Sequence, residues 1–243
     1  MRSYFVTDKG KTRDMNQDYI FSSDNPVGSL PNLYIVADGM GGYKAGDYAS
    51  RCCVEEFVAQ IKKSTQPTIV SKLSEALRVA NTSIMSKAAS NEEFLGMGTT
   101  FVAATIEDGR LYTMNVGDSR LYLIGQEIKQ VTVDHSYVEE LIRIGQLNRQ
   151  DARLHPQKNT ITRAVGVESA VEADFYETEL DKEFDFILLC SDGLTNMIED
   201  EEIRHIVMKR KENPQEAIAA LIAKANENGG RDNISAVMVQ IES

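Results

Sequence analysis

The sequence predicts an α+β fold in which two antiparallel sheets pack face to face and pairs of helices cover their outer faces, a four-layer αββα arrangement. Short β-rich runs separated by turn residues occur along most of the chain, and two pairs of segments with helical periodicity interrupt them. Of the 243 residues, 42% are hydrophobic and 26% are charged, which is enough apolar material for one sizeable core. No repeat or low-complexity tract divides the chain. We therefore expect a single domain over residues 1–243.

The N-terminal part is predicted to begin with three strands and to continue with two long helices. The strands fall at residues 4–7, 19–22 and 33–37, and the last is almost wholly apolar, as expected for a strand buried on both faces. Apolar residues then recur with helical spacing over residues 48–62 and 69–89. A first helix pair therefore follows the third strand.

The middle of the chain returns to strand character. Short connections of hairpin type join four runs and predict an antiparallel meander at residues 100–106, 111–116, 121–124 and 128–131. Residues 135–156 are polar with scattered apolar positions at helical spacing, and we interpret them as an excursion from a sheet. The remaining predicted elements are strands at residues 171–178, 184–190 and 234–241 and helices at residues 200–209 and 214–227. The second helix pair thus precedes the terminal strand.

Charge and cysteine content restrict the partners and the compartment. The 26 Lys and Arg residues and 37 Asp and Glu residues give a net charge of −11, which repels nucleic-acid phosphates and anionic lipid headgroups. No apolar run approaches the roughly 20 residues of a membrane span, and the N-terminus has no apolar stretch of signal-peptide length. The three cysteines, Cys52, Cys53 and Cys190, do not suit a disulfide framework. We expect a cytoplasmic monomer with reduced thiols, no nucleic-acid partner and no membrane association.

A set of aspartates at the ends of predicted strands is the most informative chemical feature. Its members are Asp18, Asp38, Asp118, Asp192 and Asp232. Each of them alone reads as an ordinary turn residue, since Asp and Asp-Gly are common in turns. Clustered carboxylates repel one another unless a cation compensates them. Because oxygen ligands with few histidines suit Mg²⁺ or Mn²⁺ better than Zn²⁺, we expect a hard divalent metal site.

Six short motifs extend this pattern in a fixed order along the chain. They occupy residues 10–18, 38–42, 98–100, 115–120, 191–193 and 229–233. In this order the motifs resemble those of the PPM (PP2C-type) metal-dependent serine/threonine phosphatases, in particular the bacterial branch. The resemblance implies an αββα sandwich with a small mobile flap, which here corresponds roughly to residues 136–165. It also implies hydrolysis of a phosphate monoester by a water that bridges two metal ions.

The resemblance assigns metal-binding roles to particular residues. Asp38 would bridge two Mn²⁺ or Mg²⁺ ions, and the carbonyl of Gly39 would bind one of them. Asp192 and Asp232 would hold the other ion. Asp118, with Asp192, would supply a third, weaker metal site.

Two further residues complete the expected catalytic set. Asp18 would either orient a metal-bound water or bind a metal directly, and the sequence does not separate these roles. Arg13 would bind the substrate phosphate through the bidentate hydrogen bonds that a planar guanidinium offers. The expected catalytic residues are therefore Arg13, Asp18 and Asp38.

Two positions depart from the pattern of some family members. Gln17 stands where some members have an acid, so one metal should depend more on water ligands. Met40 stands where animal members have a histidine that is proposed as a general acid. Protonation of the leaving group must then come from a metal-bound water, from His135, or from no fixed group.

The resemblance implies a bacterial enzyme that removes phosphate from phosphoserine and phosphothreonine in proteins. Its partners would be phosphoproteins, and it would oppose a cognate serine/threonine kinase. The alternative is a catalytically weak module of the same fold that binds phosphoproteins. Loss of the metal-binding aspartates would indicate such a module, but all the expected aspartates are present.

Overall fold

The computed structural model describes residues 1–42 and 45–241 of the chain. The strands in this part of the chain are β1 (Arg2–Asp8), β2 (Asp18–Ser23), β3 (Leu33–Met40), β4 (Gly98–Thr99), β5 (Phe101–Glu107), β6 (Arg110–Val116), β7 (Arg120–Gly125), β8 (Ile128–Gln130), β9 (Asp174–Glu179), β10 (Phe184–Cys190) and β11 (Ile234–Gln240). The helices are α1 (Ala45–Ile61), α2 (Ile69–Ser90), α3 (Tyr137–Arg143), α4 (Arg149–Ala152), α5 (Asp192–Thr195), α6 (Asp200–Met208) and α7 (Pro214–Glu227), and a 3₁₀ turn spans Glu92–Phe94.

The strands form two sheets in which all neighbours are antiparallel. Sheet A has the order β1-β11-β10-β7-β8, and sheet B has the order β2-β3-β5-β6-β9 with β4 paired to β3. Helices α1 and α2 pack on sheet B, and helices α6 and α7 pack on sheet A. The predicted α+β fold with two antiparallel sheets between helix pairs is confirmed.

Strand β3 illustrates why this arrangement needs apolar residues at successive positions. Side chains of a strand alternate between its two faces. Leu33 and Ile35 belong to the core beneath α1 and α2, whereas Tyr34 and Val36 belong to the core between the two sheets. All four side chains are fully buried. A strand covered by helices on one face and by a second sheet on the other has no solvent-facing position until its end.

The predicted meander over residues 100–131 is wrong. Strands β5 and β6 pair in sheet B, but β7 and β8 pair in sheet A, so the chain crosses from one sheet to the other at residues 117–119. Gly117 has φ +102° at this crossing, a backbone conformation that favours glycine. A short glycine-containing connection is compatible with a hairpin or with a change of sheet, so its sequence does not distinguish them.

Strand β3 is longer than predicted, and the region interpreted as an excursion from a sheet contains two short helices. Strand β3 continues through Asp38 and Gly39 to Met40, because Gly39 and Met40 pair with β4. The long connection between β8 and β9 contains the short helices α3 and α4. None of the helices in residues 1–42 and 45–241 has the length and apolar content needed to cross a membrane.

Candidate active site

The aspartates that the sequence singled out come together at one end of the sandwich. Asp18, which begins β2, lies opposite Asp38 in the β2–β3 register. Ser191, directly after β10 of sheet A, donates a hydrogen bond of 2.8 Å from Oγ to Asp18 Oδ2. Asp38 also experiences the charges of Asp118, Asp192 and Asp232. The cluster therefore combines residues of both sheets with Asp118 from the crossing between them.

Burial and mutual repulsion make these carboxylates hard to ionise. Burial raises the pKa of Asp18 to about 7, against hydrogen bonds from Ser235 and Ser191 that lower it. Burial, together with the charge of Asp232, raises the pKa of Asp192 to about 6. The pKa values of Asp38 and Asp118 also lie well above the ordinary range, first because of burial and then because of neighbouring carboxylates. The cluster has a strong requirement for positive charge.

Two oxygen atoms in this cluster lack the partners that buried polar atoms usually have. Asp18 Oδ1 and Asp192 Oδ1 are buried and accept no hydrogen bond, although Asp192 Oδ2 accepts one of 2.8 Å from Asn196 Nδ2. In residues 1–42 and 45–241, no group of three or more His, Cys, Asp or Glu side chains is arranged so that it could hold a metal ion without further ligands. Mg²⁺ usually keeps several water ligands in proteins, so the protein side chains alone need not form a complete ligand set. The free oxygens and the oxygen-only donor set fit hard divalent ions.

Gly39 brings the end of β3 close to the start of α1. A Cβ atom at Gly39 would lie 2.0 Å from the carbonyl oxygen of Gly46, so no larger residue fits without displacing the helix. The N–H of Gly39 donates to the carbonyl of Gln17 at 3.1 Å, and Ser50 Oγ of α1 donates to the same carbonyl at 2.6 Å. Helix α1 thus fixes the backbone on either side of Asp18 and Asp38.

Arg13 lies at the exposed side of the cluster. Its Nη2 donates to Asp232 Oδ2 at 2.8 Å, and the arginine side chain is 51% exposed. The carboxylate of Asp232 raises the pKa of Arg13. The geometry places a permanent cation, accessible to solvent, directly beside one predicted metal ligand.

Asn233 holds the segment that carries Arg13, and sequence reasoning gave it no role. Its Nδ2 donates to the carbonyls of Lys9 and Met15, both at 2.9 Å, and its Oδ1 accepts from the N–H of Gln17 at 2.8 Å. Asn233 was visible in the sequence as the last residue of the 229–233 motif. What it contacts depends on the pairing of the two chain ends in sheet A and could not be read from spacing.

His135 orients the crossing that carries Asp118. Its Nδ1 accepts from the N–H of Gly117 at 3.1 Å, and its backbone N–H donates to the carbonyl of Gly117 at 2.9 Å. Its Nε2 therefore carries the proton and lies 3.2 Å from Asp174 Oδ2. Burial lowers the pKa of His135. With both ring nitrogens engaged, His135 is placed to position the crossing rather than to protonate a leaving group.

A second hydrogen-bonded chain links the crossing to Asp38. Ser119 Oγ lies 2.8 Å from Thr100 Oγ1, which in turn accepts from the N–H of Asp38 at 3.0 Å. The N–H of Thr100 donates to the carbonyl of Asp38 at 2.9 Å. Thr100 thus couples the position of Asp38 to that of the loop beside Asp118.

A second polar cluster lies close to this acidic cluster, and its charged side chains are paired with one another or with neutral hydrogen-bond partners. Arg120 donates to both carboxylate oxygens of Asp134 at 2.7–3.0 Å, and its Nη1 donates to Tyr122 Oη at 2.9 Å. Tyr122 Oη donates to Asp200 at 3.1 Å, and Gln130 donates to Asp134 at 2.8 Å. We call these five residues the arginine cluster. Every charge in it faces an opposite charge or a hydrogen-bond partner.

A cleft opens from the acidic cluster toward the connection between β8 and β9. It has a volume of about 670 Å³, and Asp118 and Asp192 line one end of it. Arg153 and Lys158, from the connection, line the cleft as well, and Arg153 Nη2 donates to the carbonyl of Thr195 at 2.9 Å. The cleft therefore offers a solvent-accessible space of this volume next to Asp118 and Asp192.

A two-sheet αββα sandwich with an acidic cluster and an arginine at one end characterises one class of phosphatase, and comparisons with known proteins give the same class. The protein phosphatase 2C family matches residues 4–234. The chain belongs to this family and is therefore a protein phosphatase.

Relatives in three bacterial genera are similar over nearly their whole length. The serine/threonine phosphatase stp of Listeria innocua is 40% identical over 245 residues, which cover 99% of this chain and 96% of the relative. Protein phosphatase PhpP of Streptococcus pneumoniae is 39% identical over 99% of this chain and 98% of the relative. The crystal structure of serine/threonine phosphatase Stp1 from Staphylococcus aureus superimposes with a TM-score of 0.92 at 33% identity, covering 99% of this chain and 95% of that structure.

Proposed function

We propose that this protein hydrolyses phosphoserine and phosphothreonine in proteins with the help of divalent metal ions, and that it opposes a bacterial serine/threonine kinase. The observation that carries the proposal is the buried carboxylate cluster, with two oxygens free of partners, beside the exposed Arg13. The relatives in Listeria innocua and Staphylococcus aureus are named serine/threonine phosphatases, which supports this specificity. The protein would act as a monomer in the cytoplasm, as one domain with a flap at about residues 136–165.

We propose Mn²⁺ or Mg²⁺ as the ions, two in the core site and a third bound more weakly. Asp38 and the Gly39 carbonyl would hold one ion, with Asp38 shared by a second ion on Asp192 and Asp232. Asp118 and Asp192 would hold the third. When bound, such ions supply an activated water and neutralise charge on the phosphoryl oxygens.

The protein's own groups position the substrate. The planar guanidinium of Arg13 matches two phosphoryl oxygens and is open to solvent, so it can receive the phosphate at the exposed side of the acidic cluster. Asp18 lies opposite Asp38 in the strand register and either orients the attacking water or contributes a ligand. Hydrolysis places the water oxygen on phosphorus and breaks the bond to the serine or threonine oxygen. Since Met40 has no proton to give and His135 is engaged on both nitrogens, the leaving oxygen takes its proton from water.

The first experiment is phosphate release from a phosphothreonine peptide at neutral pH, with Mn²⁺ and with EDTA. A phosphoserine peptide and a phosphotyrosine peptide of the same flanking sequence are the matched substrates. Turnover with Mn²⁺ on the first two peptides, lost in EDTA, is the expected result. No turnover by protein that is folded by circular dichroism and binds Mn²⁺ would overturn the proposal and favour a phosphoprotein-binding module.

A further inference from the structure

A lysine and a cysteine meet between the two helices that cover sheet B. Lys87 Nζ, from the last turn of α2, lies 3.0 Å from Cys52 Sγ of α1. The same amine lies 3.6 Å from Glu56 Oε1 and 5.5 Å from the centre of the Tyr48 ring. Tyr48, Cys52 and Glu56 follow one another at intervals of four residues and therefore share one face of α1. The face holds the otherwise flexible amine directly over the sulfur.

The environment of this pair favours chemistry at sulfur. Peroxides oxidise sulfur, and the Lys87 amine lies within 3.0 Å of Cys52 Sγ, close enough to react with an oxidised sulfur. Cys52 is 5% exposed, while the lysine side chain above it is 36% exposed, so small oxidants can approach along the lysine. Nothing in the proposed phosphatase chemistry uses either residue.

We propose that peroxide oxidation joins Lys87 and Cys52 covalently through one oxygen atom, as Nζ–O–Sγ. The amine, the thiol and two molecules of hydrogen peroxide give the bridge and three molecules of water. An N–H bond and the S–H bond break, and one S–O bond and one N–O bond form. Sulfur and nitrogen each lose two electrons, and the two O–O bonds of the peroxides accept them. A thiol reductant reverses the reaction by reducing the bridge to amine and thiol.

The geometry favours this bridge over other oxidation products. One bridging oxygen atom fits between Nζ and Sγ at their present separation of 3.0 Å, whereas a direct N–S bond would require these two atoms to come much closer. A disulfide between Cys52 and Cys53 is disfavoured because adjacent Cα atoms lie about 3.8 Å apart, less than disulfides usually need. Cys190 belongs to the core beneath α6 and α7, on the other side of the molecule from this pair.

The bridge would lock α1 to α2. It closes the chain between residues 52 and 87, which restricts the unfolded state and should raise the unfolding midpoint by several degrees. Since the first turn of α1 carries Gly46 against Gly39, the same bridge would reduce movement of the helix that supports the acidic cluster. Oxidation would therefore form a reversible covalent cross-link between α1 and α2.

The test treats the full-length protein with hydrogen peroxide and examines its peptides by mass spectrometry. The expected product is one cross-linked peptide that contains Lys87 and Cys52, retains one added oxygen and has lost two hydrogens. Dithiothreitol should restore the separate peptides, and the unfolding midpoint should rise only in the cross-linked sample. Lys87→Arg keeps the positive charge but cannot form the bridge, and Cys52→Ser removes the sulfur; both variants should show no gain in midpoint.

Several outcomes would overturn the proposal. They are sulfinic acid at Cys52 without a link to Lys87, a disulfide that includes Cys52, a cross-link without the added oxygen, and an equal rise in midpoint in Lys87→Arg. An untreated wild-type sample, kept reduced, is the reference for each measurement.

Discussion

The acidic cluster and the arginine cluster lie side by side, yet they solve the problem of buried charge in opposite ways. In the arginine cluster, the guanidinium of Arg120 faces Asp134 through three hydrogen bonds, so these two charges balance each other, and Asp200 accepts a hydrogen bond from Tyr122. In the acidic cluster, Asp18, Asp38 and Asp192 face one another, and two of their oxygens have no partner. A compensated cluster stabilises the fold by itself, whereas an uncompensated one costs stability until a ligand binds. This contrast supports the proposal that the acidic cluster, rather than the arginine cluster, binds metal ions.

The strongest test of this contrast replaces carboxylates of the acidic cluster. Asp38→Asn and Asp192→Asn should lower turnover with Mn²⁺ by about 10²-fold or more, because residues that only orient metal ligands already contribute 10–100-fold. In EDTA the same variants should unfold at a higher temperature than the wild type. The substitution removes a buried carboxylate that the neighbouring carboxylates repel. Peptide hydrolysis and thermal unfolding measure the two effects. Unchanged turnover in either variant would remove that residue from the metal site.

The matched change in the arginine cluster should have the opposite effect on stability. Asp134→Asn leaves Arg120 without its main partner in a site where the two side chains are 21% and 10% exposed. Breaking such a pair costs about 3 kcal/mol of unfolding free energy. Urea unfolding in EDTA measures it. A variant as stable as the wild type would show that the two clusters do not differ in the way described above.

Arg13 touches the acidic cluster from its exposed side through its hydrogen bond to Asp232. If Arg13 binds the substrate phosphate as proposed, Arg13→Ala should lower kcat/KM by about 10–100-fold, because two hydrogen bonds to the phosphoryl group would be lost. Because its ion pair with Asp232 is half exposed, stability in EDTA should change by less than about 1 kcal/mol. Arg13→Lys keeps the charge without the planar fork and should recover only part of the loss. Full activity of Arg13→Ala would exclude it from phosphate binding.

The pH dependence follows from the raised pKa values of the acidic cluster. Burial raises the pKa of Asp18 to about 7 and that of Asp192 to about 6, from an ordinary value of 3.8. Between about pH 4 and 7 the folded metal-free protein retains protons that the unfolded chain has released, so its stability falls as pH rises through this window. Metal ions displace these protons, and Mn²⁺ affinity should therefore increase over the same window.

Urea unfolding in EDTA at pH 5, 6 and 7, together with calorimetric titration of Mn²⁺, measures both trends. Asp18→Asn is the control, because it should flatten the upper part of the stability profile. Mn²⁺ affinity that stays constant from pH 5 to 7 would contradict the assignment of these carboxylates as ligands.

The smallest expected effect concerns His135, which connects the crossing to Asp174. His135→Asn keeps an acceptor near the N–H of Gly117, whereas His135→Leu removes it. We expect His135→Leu to weaken the lowest-affinity Mn²⁺ site by about 10-fold and His135→Asn to weaken it less. The pH profile of turnover should keep its shape in both variants, since His135 is not the proton donor. If the pH profile of turnover lost its decrease at high pH in these variants, His135 would be the general acid after all.

The sequence predicted the layers of the fold because long helical periodicity and apolar strands follow from local composition. It could not assign β6 and β7 to different sheets, since the Gly117–Ser119 connection is equally suited to a hairpin. It could not place the start of α1 near Gly46 either, because the helix begins where the backbone packs against Gly39 rather than where apolar spacing begins.

The candidate site was accessible from sequence to the extent that its chemistry lies in charged side chains at strand ends. Asp18, Asp38, Asp118, Asp192 and Asp232 were all identified, and the structure brings them into one cluster with Arg13. The residues that hold these side chains in place were not identified from the sequence. Asn233 and Thr100 do so through hydrogen bonds between distant parts of the chain.

The crossing of the chain at residues 117–119 has a consequence for the lifetime of the folded protein. Asp18 and Asp38 belong to sheet B, Asp192 and Asp232 adjoin sheet A, and Asp118 sits on the passage between them. Ions shared by these residues would tie the two sheets together at their polar end, so the sheets could not slide apart without releasing metal. Unfolding, and digestion by proteases that attack the opened chain, should then become slower as well as less favourable. Bound metal would therefore slow the separation of the two sheets even when no substrate is present.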